Sequence, residues 1–105
     1  MMYKASHILL AYAGAQRATS NRIQEEALFQ AGKVQQEILS GEITFEEAAQ
    51  KYSDCPSGKA NGGNLGTFEK KTMDPDFINY LDNLSVGEMS GPCPTVYGYH
   101  LIRKN

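Results

Sequence analysis

Two short apolar runs stand near opposite ends of the chain, Ala5-Ser6-His7-Ile8-Leu9-Leu10 and Tyr97-Gly98-Tyr99-His100-Leu101-Ile102. Each is interrupted by one of the only two histidines. Short apolar runs bounded by turn residues read as strands, and the stretches between these two carry helical periodicity. Strands at both ends with helices between predict an α+β domain, a small antiparallel or mixed sheet with helices packed around it. A polar ring in the middle of an apolar strand must find hydrogen-bond partners. Two such rings, together with a cysteine on a glycine-rich loop, predict one shared polar site. With 105 residues there is room for one core only, so residues 1–105 read as a single domain.

Between the ends, residues 4–10 read as a strand with Ile8 and Leu10 on one face and Leu9 on the other, and residues 11–20 as a loop. Asn21 and Gln24 are spaced as a capping box, followed by Ala27, Ala31, Val34 and Ile38 on one helical face and Gly41 as the stop. Thr44-Phe45-Glu46-Glu47 is a sharper capping box, for a helix ending near Ser53. Residues 54–66, rich in glycine with Pro56, read as turns, and Leu65 to Phe68 as a short strand. Asp74-Pro75 opens a third helix, with Phe77 and Leu81 on one face. Leu84 to Pro92 is a loop, and the C-terminus is a hairpin with strands 93–96 and 99–103 around Tyr97-Gly98.

Composition excludes several classes. The chain is 41% hydrophobic and 21% charged, which is globular composition. A formal net charge of -2 and the lack of a basic run argue against nucleic acid as a partner. Apolar stretches reach only about four residues against the roughly 20 of a membrane helix, so no membrane contact is expected. Nothing predicts an obligate oligomer, and a monomer is expected. Met1-Met2 ahead of the first strand reads as a start placed on a domain excised from a longer protein.

The chemistry-bearing residues are few. Cys55 with a histidine could form a nucleophile and base, but a reactive thiolate wants electropositive surroundings, and Asp54 is its neighbour. Cys55 and Cys93 read as partly buried thiols rather than a staple. Their spacing with the histidines matches no metal signature, so neither a metal nor another cofactor is expected. Gly62-Gly63-Asn64-Leu65-Gly66 lacks the lysine and helix start of a phosphate loop and reads as a tight turn needing positive φ.

Taken in order, these segments resemble the parvulin-type peptidyl-prolyl cis/trans isomerases. The matching stretches are Ala5-Ser6-His7-Ile8-Leu9, Tyr52-Ser53-Asp54-Cys55-Pro56-Ser57-Gly58, Gly63-Asn64-Leu65-Gly66-Thr67-Phe68, Gly87-Glu88-Met89-Ser90-Gly91-Pro92 and Gly98-Tyr99-His100-Leu101-Ile102. The resemblance implies a four-stranded antiparallel sheet surrounded by three or four helices. It implies that Leu65, Met73 and Phe77 receive a prolyl ring, that His7 and His100 form a central hydrogen-bonded pair supported by Thr95, and that Cys55 sits beside the substrate carbonyl with Asp54 next to it. No cofactor or metal is implied. The implied partners are proline-containing segments of unfolded proteins.

Phosphate-directed members carry a basic cluster after the first strand. Here that loop offers only Arg17, with Arg22 at the helix start, which is thin support for a dianion. The reading is therefore an isomerase that is not phosphate-directed. The alternative is a non-catalytic peptide-binding chaperone module of the same fold. Domains of this kind occur within longer periplasmic and surface foldases and also as free-standing cytoplasmic proteins, which leaves the compartment open.

Overall fold

The structure, a computed structural model, describes residues 2–105; Met1 lies outside the described residues, and Ser57 and Gly58 of the loop motif are described in their backbone only. The chain runs β1 (Met2–Leu10), α1 (Gln24–Leu39), α2 (Phe45–Tyr52), α3 (Pro56–Asn61), β2 (Asn64–Glu69), a 3-10 turn (Lys70–Thr72), α4 (Pro75–Asp82), β3 (Cys93–Thr95) and β4 (Gly98–Lys104). The four strands form one antiparallel sheet in the order β2-β1-β4-β3. The two histidine-bearing strands are thus the central pair.

Alternation along that pair separates two apolar layers. Ile8, Leu10, Tyr99 and Leu101 face α1 and α2, where Ala27, Ala31, Val34, Phe45, Ala48 and Ala49 complete a buried cluster. Tyr3, Ala5 and Ile102 face the other way and pack on Phe77, Ile78 and Leu81 of α4. Small residues on α1 and α2 let these helices lie close to the sheet. Full burial of each large side chain here contributes about 1.5–3 kcal/mol.

The helix signals are met unevenly. Thr44 accepts from the Glu47 N–H while the Glu47 side chain accepts from the Thr44 N–H, a complete capping box. Asp74 accepts from the N–H groups of Asp76 and Phe77, with Pro75 in the first turn. Gly41 follows the end of α1 at φ +83. By contrast, the Asn21 capping box does not form: α1 starts at Gln24 with Ile23 before it and no side-chain cap. Residues 20–22 are held instead by the Ser20 hydroxyl, which accepts from Arg22 N–H, and by Arg22 Nη1 on Ala11 O. Within the stretch read as turns, residues 56–61 form α3, because Pro56 takes a first-turn position where its missing N–H costs nothing. The last hairpin turns one residue earlier than read, on Val96-Tyr97, with Thr95 opposite Gly98. Gly98 adopts φ +136 and passes so close to Leu10 O that a Cβ would lie 2.6 Å from it.

β2 contains an irregularity that matters for the site. Lys4 pairs with Thr67 but Ser6 with Asn64, one residue out of regular register, and Gly66 sits at φ +70 with its N–H donating to Asn64 Oδ1. Strict alternation would put Leu65 and Phe68 on opposite faces. The extra residue brings both to the α4 side, where both pack against the Phe77 cluster.

Candidate active site

On the α4 side of the sheet, register places Leu9 opposite His100 and His7 opposite Ile102. The two imidazoles are therefore diagonal neighbours on one face. Their Nδ1 atoms are 3.0 Å apart and their rings are nearly parallel, with centroids at 5.2 Å. Both are buried. Phe77 from α4 meets both edge-on, at 5.8 Å from His7 and 5.4 Å from His100. His100 Nε2 lies 2.8 Å from Thr95 Oγ1, which also accepts from the Tyr97 N–H.

Burial, and secondarily the nearby His7, pushes the His100 pKa down to about 3, so this ring is neutral at physiological pH. The hydrogen bond between the two Nδ1 atoms needs one donor and one acceptor. With Thr95 Oγ1 already accepting from Tyr97, its hydroxyl proton is best used on His100 Nε2. His100 Nδ1–H then donates to His7 Nδ1, and His7 carries its remaining proton on Nε2. The opposite placement would leave the Thr95 hydroxyl proton without the His100 acceptor. His7 Nε2 has no hydrogen-bond partner among the described residues.

His7 and His100 form the floor of a cleft of about 300 Å³. Leu65, Met73 and Phe77 supply apolar wall, and Cys55, Arg17 and Tyr97 also line it. Cys55 owes its place to the preceding residues. Ser53 Oγ accepts from Leu9 N–H and Asp54 N–H donates to Leu9 O, which fastens the end of α2 to the end of β1. Met73 and Phe77 are set by the Asp74-capped start of α4, and Leu65 by the Gly66 irregularity.

Of the eight residues singled out from sequence, six line this cleft: His7, Cys55, His100, Leu65, Met73 and Phe77. Thr95 stands behind His100. Asp54 is turned elsewhere, its Oδ2 accepting from Ala11 N–H at 2.9 Å and from Arg22 Nη1 at 2.6 Å. Its carboxylate thus anchors the loop after β1 rather than facing the cleft. Arg17, Thr72 and Leu9 line the cleft without having been singled out as site residues. Arg17 had one visible mark, being the one basic residue within the loop 11–20, but only the folded loop shows its φ of +62 and its place at the cleft. Gln16 N–H donating to Val96 O pins that loop to the last hairpin. Among the described residues no group of three or more His, Cys, Asp or Glu side chains is placed to hold a metal ion.

Comparison with known proteins identifies the family of the chain. Residues 7–105 match the family described as Rotamase: PPIC-type PPIASE domain. The chain is 36% identical to the peptidyl-prolyl cis-trans isomerase Pin1 of Malus domestica, over 96% of this chain and 91% of that protein. It is 37% identical to the chaperone SurA of Shewanella denitrificans, over 95% of this chain but only 22% of SurA. Among solved structures, peptidyl-prolyl isomerase ESS1 from Candida albicans superposes with a TM-score of 0.91 at 32% identity, covering 99% of this chain and 62% of that one. A buried histidine pair under an apolar cleft, on a sheet that these relatives share, makes this chain a member of the PPIC-type rotamase family, a peptidyl-prolyl cis-trans isomerase of the parvulin class.

Proposed function

We propose that this domain rotates X-Pro bonds in unfolded or partly folded protein chains, without covalent chemistry and without phosphate direction. The observation that carries this reading is an apolar cleft floored by two buried histidines, of which His100 is neutral. A planar amide is held by resonance, with a barrier of about 18–20 kcal/mol. Twisting it removes charge from the carbonyl oxygen and returns a lone pair to nitrogen. A cationic floor would favour the more polar planar form. A buried floor in which His100 is neutral does not, and binding that favours the twisted state over both planar ones is what the catalysis requires. In this reading Leu65, Met73 and Phe77 hold the prolyl ring. His7 and His100 set the shape and polarity of the floor, with Thr95 as a positioning residue behind His100. Cys55 is a soft neighbour of the swinging carbonyl, and Asp54 positions the Cys55 segment through Ala11 and Arg22. No cofactor enters the reaction.

The absence of phosphate direction rests on charge. A dianionic phosphate needs several charge-assisted donors. Among the described residues Arg17 is the one cation lining the cleft, and Arg22 is committed to Asp54 and Ala11 O. The test is two-dimensional NMR exchange on matched X-Pro peptides, with and without phosphate on X. Faster cis/trans exchange is expected with apolar or aromatic X, and phosphorylation is expected to change it by less than about threefold. A tenfold gain on phosphopeptide would overturn the specificity. Peptide shifts without faster exchange would leave a binding module only.

A further inference from the structure

Met73 is a wall shared by two hollows. On one side is the histidine-floored cleft; on the other is a groove of about 380 Å³ between the 3-10 turn and α4, lined by Lys70, Lys71, Met73, Pro75, Ile78 and Asn79. The groove shares no other residue with the cleft. Its walls are aliphatic, its polar groups are two ammonium ions and an amide, and among the described residues no acidic side chain lines it. The lysines stand on an ordered support, because Thr72 Oγ1 donates to Glu69 O at 2.7 Å and Met73 N–H donates to Lys70 O. Lys71 meets Glu69 at 3.6 Å with both side chains well exposed, a contact that water and salt weaken. Lys70 makes no ion pair among the described residues.

We propose that this groove is a second substrate subsite, taking an acidic side chain, Glu above all, from one of the first three residues after proline. The inference rests on the proposed reading of the cleft. With the prolyl ring against Met73 and Phe77 and the preceding residue toward Cys55 and Arg17, the chain leaving proline passes over Met73. An extended chain advances about 3.3 Å per residue, so a following side chain reaches the next hollow within a few residues. Glutamate matches it at both ends: its methylenes lie on Met73, Pro75 and Ile78, and its carboxylate meets Lys70 and Lys71. The substrate class is thereby narrowed to X-Pro sites followed by acidic residues.

The test uses the same NMR exchange on peptides bearing Glu or Lys at the first, second or third position after proline, plus a short peptide ending in a prolyl amide. The Glu peptide is expected to exchange about fivefold more efficiently than its Lys partner at one of these positions. K70E/K71E should bring that ratio to one or below. Raising ionic strength from roughly 0.02 M to 0.5 M should shrink it in the unmodified protein, which needs no variant to fold. Equal efficiency at every position, or a preference that survives both charge reversal and salt, overturns the subsite. Failure to accelerate the prolyl-amide peptide sinks the isomerase reading instead; peptide affinities from shifts in the same spectra then decide the groove by the same Glu-to-Lys ratio.

Discussion

A single imidazole, His100, holds the site's polarity in place. It reaches Thr95 with one nitrogen and His7 with the other, and a proton on both would set a buried cation against an apolar wall. The proton placement derived above predicts that nitrogen-15 NMR of labelled histidine finds His100 protonated on Nδ1 and His7 on Nε2 at neutral pH. The reverse tautomers would mean that Thr95 accepts from His100 instead. Cys55 belongs to the same scale. It lines the cleft, but isomerisation makes and breaks no σ bond, so Cys55→Ser should retain activity within about tenfold by exchange NMR. Loss of more than a thousandfold with an intact fold would require a nucleophilic thiol. The histidines and Cys55 were visible in sequence because each is a rare chemical type interrupting a pattern. Arg17 was not singled out, because one arginine in a loop looks like any solvated charge until the chain turns it toward the cleft.

At the scale of elements, the path of β2 beside β1 depends on one glycine. Gly63 sits at φ +87, and a Cβ there would come within 2.6 Å of His7 O and 3.2 Å of Ala49 and Phe45 side-chain atoms. Its own carbonyl accepts from the His7 N–H at 2.9 Å, so this close approach positions a floor residue of the cleft. Gly14 has a similar φ of +94 with nothing within 4 Å of the same added atom. Gly63→Ala should therefore cost about 2–4 kcal/mol in urea unfolding, and Gly14→Ala only about 1–2, the left-handed backbone penalty alone. Equal losses would show that backbone conformation, not crowding, selects glycine at 63. Elements with local caps, the reciprocal one at Thr44 and the simple one at Asp74, were readable from sequence because cap and first turn are neighbours in the chain. The start of α1 was not, since Arg22 is drawn off by Ala11 and Asp54, the latter 32 residues away.

Across the whole molecule, burial of His100 links the site to global stability. Its folded pKa of about 3 lies below the ordinary 6.5, so the unfolded chain binds the proton more readily. Stability therefore falls as pH drops below about 6.5, by up to about 1.4 kcal/mol per pH unit toward 3. Glu46, whose carboxyl the Arg103 guanidinium holds below its ordinary value, adds a loss of the same sign only at more acid pH, as it takes up a proton. Urea unfolding between pH 7.5 and 5 should show the slope in the unmodified protein and lose it in His100→Asn; a slope unchanged in that variant would assign it to other groups. The sequence by itself determined the α+β class, the capped starts of α2 and α4 and the rare residues that line the cleft, because these follow from local periodicity, capping and chemical type. Only the tertiary structure decided that Asp54 anchors a loop, that residues 56–61 are helical, that Leu65 shares a face with Phe68, and that Met73 divides two hollows. The place of Asp54 and the face of Leu65 are settled by contacts between segments far apart in the chain, where a one-residue irregularity or one long-range ion pair outweighs local preference.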